Sequence, residues 1–257
     1  MSTDSQPPQA PSTGAQGAVV VVAGATAASG VAAVRALRAA GATAIAVGSR
    51  TGHLAEVFGD PAHDAGVPQF ACDLADFAAV QRLSADVSAR FGAVDGVIHL
   101  VGGWRGGGTL ADQDDADWDF LARGVITTLR NTSRAFFDAI AASPRGRFAM
   151  VSTTTLARPS AANANYQAAK AAAEAWTRAM AQGLAAVQSA RKEGPLPQTS
   201  AAVVLAVKAL LDEGMRAKSP ERSFAGYTHV DTLAARAVEL FSDDAAEVNG
   251  ARLDLTV

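Results

Sequence analysis

Three side chains in the middle of the sequence have types and spacing that suit acid–base chemistry: Thr153, Tyr166 and Lys170. Tyr166 and Lys170 lie in the segment YQAAK, four residues apart, which places them on one face of a helix. An ammonium group beside a phenol favours the phenolate and so lowers the pKa of the tyrosine. Thr153 precedes Tyr166 by 13 residues and offers a second hydroxyl to the same substrate oxygen. The set therefore predicts proton transfer to or from an oxygen atom.

The order of apolar and polar residues predicts the elements that hold these side chains. Apolar runs predict strands at Val19–Ala23, Ala42–Val47, Gln69–Ala71, Gly96–Val101, Arg147–Ser152 and Ala201–Val207, and the amphipathic or alanine-rich segments between them predict helices. Strands of this kind that alternate with helices are typical of a parallel sheet covered on both faces. We therefore expect one α/β domain over residues 18–257, a doubly wound parallel sheet of the Rossmann type.

The sequence favours a small-molecule ligand over a macromolecular one. A net charge of -3 provides no basic face for nucleic acid or an anionic membrane, so neither is expected as a partner. Residues 1–17 contain proline, serine and glutamine without a basic leader, which predicts a disordered N-terminal tail and not a signal peptide. The valine run after this tail is too short to span a bilayer, and we expect a cytoplasmic protein.

Metal and disulfide chemistry are not expected. Cys72 is the only cysteine, and the four histidines are too scattered to form a close pair of ligands. The acidic run from Ala111 to Asp119 precedes an apolar period, as is typical of the amino end of a helix, and is not expected to hold a metal.

The segment between the first predicted strand and helix has the composition of a nucleotide-binding turn. Gly24 permits a sharp turn, and the small residues up to Gly30 let backbone amides and the positive end of the helix approach a pyrophosphate. The candidate contacts are Gly24, Thr26, Ala28, Ser29 and Gly30. Ala27 stands where the usual spacing has its middle glycine, so a closely packed joint without a ligand is the alternative.

The end of the second predicted strand indicates which dinucleotide binds. An acidic residue here would hold the ribose 2′-hydroxyl of NAD, but the sequence has Ser49 and Arg50. A guanidinium beside a hydroxyl suits the 2′-phosphate of NADP, so we expect NADP(H) to be preferred over NAD(H), with an ordinary surface arginine as the alternative. Asp73, after the third strand, is placed to reach the adenine amino group. The alternatives are that Asp76 has this role, or that the acidic residue only caps a helix.

Taken together, these segments resemble the short-chain dehydrogenase/reductase family over residues 18–257. The resemblance rests on the glycine-rich turn, Asp73, the strand end HLVGG, and the set of Thr153, Tyr166 and Lys170. It implies that Tyr166 is the general acid or base, and that Lys170 lowers the tyrosine pKa and holds the nicotinamide ribose. Thr153 would replace the family's serine, which polarises the substrate oxygen, with Ser152 as the alternative.

The resemblance also implies further cofactor contacts and a mode of assembly. The additional contacts are Leu74, Val101, Gly102 and Gly103. The small-residue-rich helix that contains YQAAK implies a homodimer or homotetramer. The sequence departs from the family pattern at Val125, where a helical asparagine often completes a proton relay, and at Val207-Lys208, where Pro-Gly is usual. These departures, with Ala27, leave open a slowly reacting NADP-binding sensor or interaction protein.

Two segments resemble one subgroup of the family, the dihydropteridine reductases: VGGWRGGG and LLDEGMRAKSPERSF. This likeness implies that Trp104 stacks on a flat substrate ring, whereas a tryptophan that only pins its loop to the core is the alternative. We expect an NADP(H)-dependent oxidoreductase that transfers hydride between the nicotinamide and a small carbonyl or alcohol, with Trp104, Thr153 and Tyr166 at the substrate. A quinonoid reductase is the second reading of the same site.

Overall fold

A seven-stranded parallel sheet forms the centre of the computed structural model, which describes residues 14–60, 66–189 and 197–256. Its strands are β1 (Val19–Ala23), β2 (Thr43–Gly48), β3 (Gln69–Ala71), β4 (Gly96–His99), β5 (Arg147–Thr153), β6 (Ala201–Val207) and, at the far edge, β9 (Arg252–Asp254). The order across the sheet is β3-β2-β1-β4-β5-β6-β9. The predicted doubly wound fold is therefore confirmed, and the order reverses between β1 and β4, where such sheets form a crevice at their carboxyl ends.

Helices cover both faces of this sheet because its strands are apolar on both sides. The helices are α1 (Ala28–Ala39), α2 (Thr51–Phe58), α3 (Phe77–Phe91), α4 (Asp115–Leu121), α5 (Thr128–Ala142), α6 (Ala164–Ser189), α7 (Glu213–Lys218), α8 (Val230–Glu239) and α9 (Ala245–Val248). On one face, Leu37 of α1 and Leu233 of α8 are fully buried in a single apolar cluster. On the other face, α3, α5 and α6 form a second cluster around Phe136 and Phe148.

The first helix, α1, is closed by a glycine. Gly41 has φ +83°, its amide donates to Arg38, and the amide of Ala42 donates to Leu37, each at 3.0 Å. This pair of bonds is the Schellman arrangement, in which a glycine in the left-handed region closes the helix.

The predicted limits of three strands need correction: β2 is shifted by one residue to Thr43–Gly48, β5 extends one residue further to Thr153, and β4 is shorter. β4 ends at His99 and not at Val101, because the chain leaves the sheet to form the long loop before α4. Strand β9 was not predicted, since three residues with exposed side chains at both ends carry no apolar run. Residues 14–17, assigned to the tail, form a turn in which Arg145 donates to the carbonyl oxygens of Gly14 and Gln16. The rest of the predicted tail, residues 1–13, lies outside the described residues.

Between α4 and α5 the helix widens into a π-helical turn, Ala122–Thr127. The Thr128 hydroxyl donates to the carbonyl oxygen of Gly124 at 2.7 Å and also lies 3.2 Å from Nε2 of His99. Val125 is buried in this turn, at the place where the family often has asparagine. Its side chain is apolar and cannot relay a proton.

Candidate active site

The turn after β1 is shaped by two glycines that tolerate no side chain. Gly24 has φ +82°, and a Cβ at Gly30 would lie 2.3 Å from the carbonyl oxygen of Gly24 and 2.5 Å from Cα of Ala25. The start of α1 therefore packs directly on the end of β1. Ala27 precedes this helix and makes no side-chain cap, and the first turn contains no acidic residue. No side chain of the described residues accepts from the first amides of α1, and these amides suit a phosphate group.

Ser49 and Arg50 are exposed at the carboxyl end of β2, as the sequence predicts. Nη2 of Arg50 lies 3.2 Å from Nδ1 of His53, one turn into α2. Arg50 is also the residue that precedes α2, so it lies at the amino end of that helix. A cation, a hydroxyl and a helix amino end are compatible with a phosphate monoester.

Asp73 lies after β3 and is already engaged with two partners. Its Oδ1 accepts from the amide of Ala75 at 2.9 Å, and its Oδ2 accepts from Nη2 of Arg123 at 2.6 Å. Asp76 caps α3 by accepting from the amides of Ala78 and Ala79, which identifies it as the helix cap among the roles left open. Arg123 comes from the π-helical turn and was not singled out in the sequence, because its partner is 50 residues away.

Thr153, Tyr166 and Lys170 converge on one cleft at the carboxyl ends of β4, β5 and β6. Thr153 ends β5, whereas Tyr166 and Lys170 lie in the first turns of α6. Nζ of Lys170 donates to the carbonyl oxygen of Val151 at 2.8 Å and lies 5.9 Å from the ring centroid of Tyr166. The cleft has a volume of about 370 Å³. Its walls are formed by Ser29, residues 100–104, residues 151–153, Thr155, Asn163, Tyr166, Lys170 and residues 207–210.

Half of the predicted residues line this cleft: Ser29, Val101, Gly102, Gly103, Trp104, Thr153, Tyr166 and Lys170. Gly24, Thr26, Ala28, Gly30 and Leu74 are not among the residues that line it. Ser49, Arg50 and Asp73 lie outside it, along the ends of β2 and β3. A long ligand that reaches from Tyr166 to Arg50 would pass over the amino end of α1. A Cβ at Gly102 would lie 3.5 Å from Nζ of Lys170, so the backbone comes close to the lysine at this point.

Burial dominates the electrostatics of the two catalytic candidates. Burial raises the pKa of the Tyr166 phenol, and a hydrogen bond with the Thr153 side chain partly opposes this effect. Burial also lowers the pKa of Lys170 to about 8, against the opposing influence of Glu174. The expected lowering of the tyrosine pKa is therefore wrong for the chain alone, because loss of solvent outweighs the stabilisation of the phenolate. At neutral pH Tyr166 carries its proton and can donate it.

Thr155 is a second hydroxyl in the cleft that the sequence did not single out. Its Oγ1 lies 3.0 Å from Oγ1 of Thr153, and its amide donates to the same Thr153 oxygen at 3.2 Å. The run of three threonines at 153–155 indicates several hydroxyls near the site, but only the fold shows which of them line the cleft. Ser152, the alternative to Thr153, is buried, and its Oγ has no hydrogen-bond partner in the described part of the chain.

Trp104 lies at the wall of the cleft, with one edge of its indole hydrogen-bonded. Its Nε1 donates to Oδ1 of Asn163 at 3.0 Å, which pins the edge of the indole. The side chain is nevertheless 57% exposed and lines the cleft. A pinned ring with an open face is able to stack on a flat group.

Lys208 and the segment after it close the opposite side of the cleft. Nζ of Lys208 donates to the carbonyl oxygen of Ala225 at 2.7 Å and lies 5.7 Å from the centroid of the Tyr227 ring. The paired strands β7 (Leu210–Leu211) and β8 (Thr228–His229) tie this segment, which contains α7, to the domain. The exposed Met215 belongs to it.

Comparisons with known proteins agree with this geometry. A family model described as short chain dehydrogenase matches residues 18–188, well over half of the chain. The chain belongs to the short-chain dehydrogenase family. It is therefore an oxidoreductase of the type that uses a nicotinamide cofactor. The glycine-rich turn, Tyr166 and Lys170 lie inside the matched residues, and so does the cleft wall except for residues 207–210.

Three solved structures of similar fold have a TM-score of 0.78 each. A putative short chain dehydrogenase from Pseudomonas syringae is 22% identical, with 95% of this chain and 97% of that chain covered. A short-chain type dehydrogenase/reductase from Mycobacterium ulcerans is 19% identical, with 93% and 88% covered. ElxO with NADP bound is 13% identical, with 93% and 97% covered. At these identities the likeness shows the fold.

The described residues contain neither a cluster of metal ligands nor a membrane-spanning helix. Within residues 14–60, 66–189 and 197–256, no group of three or more His, Cys, Asp and Glu side chains could hold a metal ion. Asp114 caps α4 by accepting from the amide of Asp117, which accounts for part of the acidic run. The helices of the same ranges include none that is both long and apolar enough to cross a bilayer.

Proposed function

We propose that this short-chain dehydrogenase is an NADP(H)-dependent enzyme that interconverts a small carbonyl compound and its alcohol. The observation that carries the proposal is the convergence of Thr153, Tyr166 and Lys170 on one cleft beside the amino end of α1. Preference for the phosphorylated cofactor is supported by Ser49 and Arg50 at the end of β2, where an acidic side chain would repel a 2′-phosphate. The ElxO structure, which is similar in fold, contains bound NADP, and this supports the proposal.

The residues of the chain divide the work of binding and proton transfer. When bound, the nicotinamide cofactor supplies or accepts the hydride at the substrate carbon. Gly24 and Gly30 let the pyrophosphate approach the amides of α1, and Arg50 holds the 2′-phosphate. Asp73, which is paired with Arg123, would lie on the adenine side of the cofactor.

In the direction of reduction, Tyr166 donates its proton to the carbonyl oxygen, so that hydride on carbon and proton on oxygen complete the alcohol. The raised pKa of Tyr166 keeps this proton available at neutral pH. The Thr153 hydroxyl donates a hydrogen bond to the same oxygen and stabilises the charge that develops there. Lys170, as a cation, favours the tyrosinate that forms and holds the cofactor ribose.

A quinonoid reductase is the second candidate, and the open face of Trp104 favours it. In that case stacking on the indole would position a flat ring, and Thr153 would contribute little. The sensor reading rests on Ala27, Val125 and Val207-Lys208, but the complete set of hydroxyl, tyrosine and lysine in one cleft favours turnover.

We also propose that the protein acts as a homodimer or homotetramer. An apolar groove between α3, α5 and α6 is lined by Phe77, Phe137, Trp176 and Met180, and it offers a face for a second copy. Sedimentation of the protein at micromolar concentration tests this assembly. A monomer at all concentrations would contradict it.

A substrate screen tests the proposed function. NADPH oxidation is followed against panels of aldehydes and ketones, quinones, and quinonoid pterins, while cofactor binding is titrated separately by fluorescence. The carbonyl reading predicts turnover with members of the first panel. Turnover confined to the pterin panel would favour the second candidate, and tight NADPH binding without any turnover would favour the sensor.

A further inference from the structure

A buried carboxylate lies one helical turn beyond Lys170. Glu174 is only 3% exposed, and its position four residues after Lys170 on α6 places both side chains on one helix face. A carboxylate removed from water is retained only when it is paired and hydrogen-bonded. Its partners therefore define what the group does in the fold.

Glu174 is held mainly by Arg252, the first residue of the edge strand β9. Nε of Arg252 lies 3.1 Å from Oε1 and 3.2 Å from Oε2 of the carboxylate. Arg178 adds a contact of 3.0 Å from its Nη2 to Oε2, from a side chain that is more than half exposed. The carboxylate thus joins α6, which carries Tyr166 and Lys170, to the last strand of the sheet.

Arg252 also reaches the other catalytic element. Its Nη2 donates to the backbone oxygen of Thr153 at 2.8 Å. Strand β6 lies between β5 and β9, so the arginine side chain passes beside β6 to reach the end of β5. One guanidinium therefore fixes the strand end that presents the Thr153 hydroxyl and, through Glu174, the helix that presents Lys170.

We propose that Glu174 and Arg252 are positioning residues of the active site, which hold Thr153 and Lys170 in register and provide the counter-charge of the Lys170 ammonium group. The inference rests on the proposed function, because it assigns Lys170 a role that requires its positive charge. It adds a pair of residues that touch neither the cleft nor the expected path of the cofactor.

The charges around Lys170 support this assignment. The titratable groups that face it are Tyr166 and Glu174 on α6 and His99 on β4, with Arg252 of β9 behind Glu174. Burial and the nearby lysine lower the pKa of His99 to about 3, so this ring is neutral at pH 7. Tyr166 is protonated at the same pH because burial raises its pKa. Among these groups, Glu174 alone supplies negative charge to a lysine whose pKa burial lowers to about 8.

Two substitutions should move the titration of Lys170 in opposite directions. Glu174→Gln removes the negative charge, so the lysine should lose its proton at a pH lower by roughly one unit. Arg252→Met leaves that charge without its main partner, so the lysine should lose its proton at higher pH. Arg252→Met also frees the end of β5, and kcat should fall about tenfold to a hundredfold through misplacement of Thr153.

The measurement is the dissociation constant of NADPH as a function of pH, followed by fluorescence without substrate. The wild-type protein should bind more weakly above about pH 8, and Lys170→Met should remove this dependence. Arg236→Met is the matched control, because Arg236 forms a half-buried ion pair with Asp243 at the end of α8. Its pH profile should coincide with that of the wild type. Thermal melting without cofactor shows which variants are folded.

A folded Glu174→Gln protein with the wild-type pH profile would overturn the inference. Shifts of both variants in the same direction would overturn it too. If the ion pair were merely structural, removing either partner would disturb the site in the same way. If Glu174→Gln fails to fold, Arg252→Met and Arg252→Lys decide. The proposal is supported if the pH profile of NADPH binding shifts upward in Arg252→Met and returns close to that of the wild type in Arg252→Lys. It is overturned if the profile of Arg252→Met does not shift. If Lys170→Met and the wild type have the same profile, the role proposed for Lys170 fails together with the inference, which separates this outcome from the others.

Discussion

Replacing Arg50 by alanine should weaken NADPH and leave NADH nearly unchanged. A charge-assisted hydrogen bond contributes about 1.5–3 kcal/mol. Arg50 is exposed at the end of β2, with Nη2 3.2 Å from Nδ1 of His53, so water and salt screen its charge. The lower part of that range, about 1.5–2 kcal/mol, therefore applies and corresponds to a roughly 10- to 30-fold increase in the dissociation constant of NADPH.

Fluorescence titration of both cofactors against wild type and variant measures this difference. The NADH constant should change less than about twofold, because NADH has no 2′-phosphate, and the NADPH loss should shrink as ionic strength rises. Arg35→Ala is the matched control: it removes the same charge from an exposed arginine that pairs with Asp231 instead. Equal losses for NADPH and NADH in Arg50→Ala would refute the assignment of Arg50 to the 2′-phosphate.

Three other changes test separate parts of the site. Gly30→Ala places a Cβ 2.3 Å from a backbone oxygen, so both cofactors should bind at least tenfold more weakly and the melting temperature should fall. Gly183→Ala in α6 is the control, because the nearest atoms there belong to a side chain 3.3 Å away. Its effect on both measurements should be mild. On a carbonyl substrate, Thr153→Ala should lower kcat about tenfold to a thousandfold, and Trp104→Ala should have little effect. A raised KM in Trp104→Ala with a mild effect of Thr153→Ala would indicate a quinonoid ring as the substrate. Since Lys170 is charged below its pKa of about 8 and neutral above it, NADPH affinity should decline from pH 7 to pH 9, and a flat profile would contradict a cationic role.

The local pattern of the sequence was sufficient to predict most of the sheet. β1, β3 and β6 have the predicted limits. β1 and β6 are apolar runs that end before Gly24 and Lys208, respectively. β9 was missed because an edge strand with the pattern Arg-Leu-Asp depends on pairing with β6 for its conformation. Propensity cannot report a contact between residues about 50 positions apart.

In the candidate site too, features that depend on neighbouring residues were predicted, and contacts between residues far apart in the chain were not. The spacing of Tyr166 and Lys170 followed from helix geometry, and both residues lie on α6 as predicted. The partners of the site did not follow from the sequence, because Arg123 meets Asp73 and Arg252 meets Glu174 only after the sheet is assembled. The direction of the Tyr166 pKa was also hidden, since it depends on how much solvent the folded chain removes.

The most direct test of the central claim is the turnover number of Tyr166→Phe on a substrate found in the screen. The variant loses only the phenolic oxygen, so it should fold, melt near the wild-type temperature and bind NADPH with a similar dissociation constant. Without the proton donor, kcat should fall by about 10²- to 10⁴-fold. A Tyr166→Phe protein that keeps the full wild-type kcat would contradict the proposal that this cleft performs tyrosine-dependent proton transfer.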